Sequence, residues 1–156
     1  VLFDGSNLDA WASDKGNAPA PWKIENGYLE VVGGSGGIHT KGEWQDVQLH
    51  LEFATPRKVE GESQGRGNSG VFFHGQFEIQ VLDSYKNQTY ADGQVGALYG
   101  QWPPLANPIK PPGEWNSYDI VFEAPRFDAE GKLTRPAYAT VFLNGVLLHN
   151  RKEING

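Results

Sequence analysis

The 156 residues carry 19 acidic and 13 basic side chains, a formal charge of −6, with 12% aromatics, 20 glycines and no cysteine. That length fits one domain with a single core, the acidic balance without a dense basic run excludes binding that relies on clustered cations against nucleic-acid phosphates, and the lack of cysteine excludes disulfides and thiolate metal sites. No apolar run approaches the roughly 20 residues that a membrane-spanning helix needs, so no membrane insertion is expected.

Glycine or proline interrupts nearly every window that could be helical, whereas strands are easy to find. Residues 22–32 hold an Asn26-Gly27 turn between two short extended runs, a hairpin signal. Residues 33–37 break the strand, and it resumes over 38–41. Val47, Leu49, Leu51 and Phe53 alternate with Gln48, His50 and Glu52, as in a strand with one face in a core. Residues 56–67 read as a polar surface loop.

Residues 68–83, NSGVFFHGQFEIQVLD, read as a second hairpin. A three-residue loop of Gly75, Gln76 and Phe77 places Val71, Phe73, Ile79 and Val81 on one apolar face. It sets His74 opposite Glu78 and Phe72 opposite Gln80 on the other. A two-residue loop would mix Glu78 and Gln80 with Phe73 and Val71, so the hydrophobic pattern selects the longer turn. An imidazole, a carboxylate, an amide and a ring side by side suit a polar ring such as a sugar. Asp83, at the strand end, is expected to cap a turn or bind a structural cation.

Residues 85–112 are long, irregular and proline-rich, and a loop of that kind often wraps a binding site, with Tyr99 and Trp102 on its rim. Trp115 is expected in the core. Residues 118–123 and 137–143 pair across a polar excursion at 128–132, and Asn144-Gly145 turns into a strand over 146–149. About ten short strands give an all-β, two-sheet antiparallel β-sandwich, one domain over 1–156. The polar RKEING after that strand leaves a sheet unfinished, so further C-terminal strands are expected to be missing.

LFDGSNLDAW, NSGVFFHG, FEIQVLDS, GEWNSYDIVF and VFLNGVLLHN occur in that order. Together they resemble the 3-keto-disaccharide hydrolase domain family across nearly the whole chain. The resemblance implies a jelly roll of the concanavalin A-like kind shared with laminarinases, whose concave sheet receives sugar. It also implies a carbohydrate substrate and export, since such relatives are common among bacterial secreted and envelope proteins. His74 departs from the arginine found there in many relatives, which leaves the substrate open.

In the laminarinases the corresponding strand carries E-x-D-x-E; here it offers Glu78, Gln80 and Leu82. Only one of these ionises, so a two-carboxylate mechanism would need Glu52 from a neighbouring strand. A 3-keto-glycoside asks for less. Its ketone acidifies the hydrogen at carbon 2, a single base removes it, the enolate expels the oxygen at carbon 1, and water adds afterwards. Glu78 or His74 would be the base, and Lys41, His39, Arg66 or a divalent ion would hold the enolate oxygen. Gln80 would bind sugar hydroxyls.

His39, His50, His74 and His149 lie on different strands without metal-binding spacing, so no dedicated metal site is expected, although His50, Glu52, His74 and Glu78 could form a mixed one. The cofactor and the oligomeric state stay open. The alternative to an enzyme is a lectin-like module that binds carbohydrate without turnover.

Overall fold

A computed structural model describes residues 1–16 and 18–156. The chain divides into two compact units, Val1–Trp44 and Gln45–Gly156. Among the described residues the only helical pieces are two three-residue 3₁₀ turns, Ser63–Gly65 and Ala91–Gly93.

In the first unit β1 (Trp11–Ser13) pairs antiparallel with β4 (Ile38–Thr40), while β2 (Lys23–Glu25) and β3 (Tyr28–Glu30) form the hairpin signalled by Asn26-Gly27. Both turn residues have left-handed φ, +50° and +79°, which asparagine and glycine tolerate best.

The second unit holds a four-stranded antiparallel sheet ordered β12-β11-β8-β5, built from β5 (Val47–Phe53), β8 (Asn116–Glu123), β11 (Ala137–Leu143) and β12 (Val146–Ile154). A short ladder of β9 (Arg126–Phe127) and β10 (Leu133–Arg135) frames the polar excursion. Facing the sheet is the hairpin of β6 (Ser69–Phe73) and β7 (Phe77–Val81). The inner side chains of both layers form one apolar cluster, which makes this unit a β-sandwich. Phe73 stacks on Phe122 with centroids 4.6 Å apart. Buried Tyr118 reaches from β8 to donate its hydroxyl to the Gln80 carbonyl at 2.7 Å.

Three expectations change. The hairpin keeps its predicted faces but not its register: Phe73 pairs with Phe77 and Phe72 with Glu78, and the loop is His74, Gly75 and Gln76. His74 and Gly75 take φ of +51° and +67°, and Gln76 N–H closes the turn on the Phe73 carbonyl at 3.1 Å. Residues 151–154, read as polar tail, instead extend β12, with Arg151 at φ +43° where the pairing with β11 shifts. Trp115 is 44% exposed rather than in the core.

Candidate active site

β7 is the middle strand of a three-stranded platform. β6 flanks it on one side, with Phe72 opposite Glu78 and Gly70 opposite Gln80. On the other side residues 96–99 of the long loop act as a further strand. Gln80 N–H donates to the Ala97 carbonyl at 3.0 Å, Gly96 N–H to the Gln80 carbonyl at 2.9 Å, and Tyr99 N–H to the Glu78 carbonyl at 3.1 Å. Leu98 bridges Ile79 in antiparallel sense, which sets Tyr99 opposite Glu78.

Phe72, Glu78 and Tyr99 therefore stand in one row across three strands. Direct neighbours in such a row have Cβ atoms about 4.5–5.5 Å apart. Phe77, Ile79 and Leu98 alternate with them and are buried, so the row lies on the face turned away from the core. Phe72 is 56% and Tyr99 37% exposed, which leaves both rings open to a ligand. Glu78 is half-buried between them, and that burial pushes its carboxyl above the ordinary glutamate value. Gly70 gives this carboxylate its room: a Cβ there would overlap Glu78 Oε1.

Tyr90 completes the group. Its hydroxyl lies 2.5 Å from that of Tyr99. Its ring rests on Gly93, where a Cβ would come within 2.6 Å of Tyr90 Cζ. The Gly93 carbonyl is held by Gln64 Nε2 at 2.9 Å and Gln80 Nε2 at 3.3 Å. The Tyr90 phenol is pushed up to about 12, first by its hydrogen bond to Tyr99, then by desolvation and by negative charge on Tyr99, Asp92 and Glu78. On the far side, buried His149 donates through Nε2 to the Gly96 carbonyl at 2.9 Å, fastening the segment that carries Tyr99. Desolvation lowers the His149 pKa and favours its neutral form.

The structure redistributes several residues expected to act together. Glu78 and Tyr99 meet, as described. His74 does not face Glu78; it sits at the hairpin tip with its ring edge-on to Phe122 at 5.5 Å and Nε2 3.3 Å from the Gln45 carbonyl. Gln80 shares the Glu78 side but is fully buried, because the turn at 91–93 folds over it and takes its amide. Its Nε2 also donates to Gln64 Oε1 at 2.9 Å, so it does not offer hydrogen bonds to an open groove.

Glu52 lies opposite Ser117 on the outer face of the four-stranded sheet, across the core from Glu78. His50, on that same outer face, bonds Asp119 at 2.6 Å. Among the described residues no three His, Asp or Glu side chains converge as a metal site, so the mixed set of His50, Glu52, His74 and Glu78 is not assembled.

Arg66 is spent on Asp83, Nε to Oδ2 at 2.7 Å, and on the Tyr85 carbonyl at 2.9 Å. Asp83 also caps the turn by accepting from Tyr85 N–H at 3.1 Å, as its place at the strand end suggested. Trp102 bonds the Glu153 carbonyl through Nε1 at 3.1 Å, and Lys152 Nζ lies 3.5 Å from its ring centroid, so it belongs to the β12 end of the loop. His39 and Lys41 belong to the first unit, where with Ala12, Thr40 and Glu43 they line a pocket of about 350 Å³.

Sequence reasoning missed Tyr90, Gly70 and Gly93. A signal existed in the pair Tyr90 and Tyr99 flanking four closely spaced glycines or alanines, but the hydroxyl contact depends on how the loop turns at Ala91–Gly93.

A family model described as a 3-keto-alpha-glucoside-1,2-lyase-like domain matches residues 1–156. A 3-keto-disaccharide hydrolase of Bacteroides thetaiotaomicron is 27% identical over 151 residues, covering 78% of this chain and 51% of that protein. A crystal structure from Parabacteroides distasonis, provisionally named a glycosyl hydrolase, superposes with a TM-score of 0.96 at 47% identity, covering 100% of this chain and 66% of that one. A second structure from the same organism, with the same provisional name, has a TM-score of 0.70 at 22% identity over 95% of this chain and 69% of its own, a likeness of fold alone. The chain thus spans about half the length of the curated relative and under two thirds of that of the more similar structure.

Proposed function

This chain belongs to the 3-keto-alpha-glucoside-1,2-lyase-like domain family, and from that premise we propose that it cleaves the glycosidic bond of 3-keto-glucosides, with Glu78 as the base that removes the hydrogen at carbon 2. The observation that carries the reading is the row itself, one carboxylate of raised pKa between two open aromatic rings. A base titrating nearer neutrality is better matched to a carbon acid than an ordinary glutamate, and such positioned proton transfer contributes about 10²–10⁴-fold. The Phe72 face suits the apolar side of a pyranose, and Tyr99 supplies a hydroxyl on the other flank of Glu78.

Two carboxylates working as a pair need about 5–5.5 Å for retention or about 6.5–9.5 Å for inversion. Glu52 and Glu78 stand on outer faces of two layers whose backbones alone are about 10 Å apart. Elimination from the keto sugar is therefore favoured over direct displacement.

The test is to incubate the purified protein with 3-keto-glucosides and follow the released sugar by NMR, alongside Glu78→Gln. Turnover by the wild-type protein that falls at least about 100-fold in the variant, with ligand still bound, supports the reading. Binding of the keto sugar without turnover by wild-type protein would overturn it in favour of a lectin-like module.

A further inference from the structure

Elimination needs more than a base, because the sugar or other alcohol leaving from carbon 1 departs as an alkoxide unless it receives a proton. We infer that Tyr99 is the proton donor to that departing oxygen and that Tyr90 is its positioning partner. The inference rests on the elimination reading above.

The placement argues for it. Tyr99 is the cross-strand neighbour of the proposed base and is held there by its own N–H on the Glu78 carbonyl. Base and acid thus stand side by side on one face, which suits a syn elimination in which the carbon 2–hydrogen and carbon 1–oxygen bonds break from the same side of the sugar ring. Tyr90 and Tyr99 share a hydroxyl contact of 2.5 Å. When Tyr90 is the donor in that contact, the Tyr99 proton is free to point at the ligand, and the oxygen left behind is already hydrogen-bonded. The raised Tyr90 pKa, caused first by this contact, agrees with Tyr90 keeping its proton.

Tyr90 in turn is placed by a glycine with no side chain to obstruct its ring, and the carbonyl of that glycine is clamped by Gln64 and Gln80. Buried Gln80 is thus a support for the acid.

The step balances without any co-reactant beyond water. The Glu78 carboxylate takes the proton from carbon 2, the C–H electrons form the enolate, and the carbon 1–oxygen bond breaks toward the oxygen, which takes the Tyr99 proton and leaves as an alcohol. Water then adds its oxygen to carbon 1, one of its protons restores the Tyr99 phenol, and Glu78 returns its proton to carbon 2.

A donor to the leaving group matters in proportion to how poor that group is, which separates this role from a structural one. Wild-type protein, Tyr99→Phe and Tyr90→Phe are assayed on a 3-keto-glucoside of an alkyl alcohol and on one of nitrophenol, with melting curves to confirm folding. For Tyr99→Phe the loss of kcat on the alkyl glycoside should exceed the loss on the nitrophenyl one by at least about 30-fold. Tyr90→Phe should show the same bias, smaller. Gly93→Ala, which displaces the Tyr90 ring while leaving both hydroxyls in the sequence, should resemble Tyr90→Phe. Equal losses on the two substrates, or none on either, overturn the assignment of the donor while leaving Glu78 as base intact. A wild-type protein inert toward both overturns the elimination reading and this inference with it.

Discussion

Gly70→Ala separates the site from the fold. An alanine Cβ at this position overlaps Glu78 Oε1 and lies 2.8 Å from Phe72 Cε2 and 3.0 Å from Glu78 Cδ. Non-bonded carbons rest about 3.5–4.0 Å apart, so the carboxylate has to retreat by about 1 Å, and a misplacement of that size costs about 100-fold in rate. Stability should respond differently. The obstructed atoms are the far ends of two flexible side chains, and Gly70 is not among the glycines with left-handed φ. A rotamer cost of about 0.5–1.5 kcal/mol is offset by about 0.4–1 kcal/mol gained when alanine restricts the unfolded chain. For a chain of this size the melting temperature should move by less than about 4 °C. The assay pairs a melting curve with kcat/KM on a 3-keto-glucoside. A folded variant with activity within about threefold of wild type, far inside the loss that misplacement implies, would refute the claim that Glu78 works from its position over Gly70.

Tyr118→Phe removes a buried hydrogen bond to a carbonyl that still accepts from Gly96 N–H, so it should cost about 1 kcal/mol; a fall in melting temperature well beyond about 4 °C would show that the remaining bond does not suffice. Arg66→Ala strands Asp83, whose side chain is 2% exposed, and should destabilise by about 3–5 kcal/mol; a melting temperature equal to wild type would show the pair to be dispensable. For Glu78, burial raises the folded pKa above the unfolded value, so its favourable contribution is complete below the unfolded pKa and is lost as pH rises through the folded one. Glu78→Gln should therefore gain stability relative to wild type on going from pH 4 to pH 7, and a melting difference independent of pH would contradict the assigned burial.

Much of this unit was legible in the sequence, for a reason that also explains what was not. Side chains in a strand alternate with period two, so the pattern of Val71, Phe73, Ile79 and Val81 identifies which face is buried. A slip of two residues preserves that pattern completely, and the apolar residues cannot detect it. The choice fell to His74, which accepts a left-handed backbone and so joins the turn. The same limit applies to Gln80, whose parity was right but whose cover comes from a turn more than ten residues away in sequence. The polar run after Val146–His149 misled differently: an edge strand has solvent beside it, so Arg151 and Glu153 remain exposed while Ile154 is buried. Composition cannot distinguish such an edge from a frayed tail.

The number of carboxylates is what links placement to chemistry. Glu52, alternating on a clean strand, was the second carboxylate that a two-acid mechanism would have needed, yet alternation cannot say which side of the sandwich that strand's outer face becomes. Once β5 pairs with β8 in the sheet opposite the β6–β7 hairpin, Glu52 and Glu78 are driven to opposite surfaces by the same core that gives each of them its exposed face. A lone half-buried carboxylate is a weak agent against an ordinary acetal, where nucleophile and acid must act together. It is adequate where a neighbouring carbonyl on the substrate has already made a proton removable. What the fold adds beside it is a phenol on the adjacent strand, and the register of a four-residue stretch of loop, 96–99, is what brings that phenol into the row.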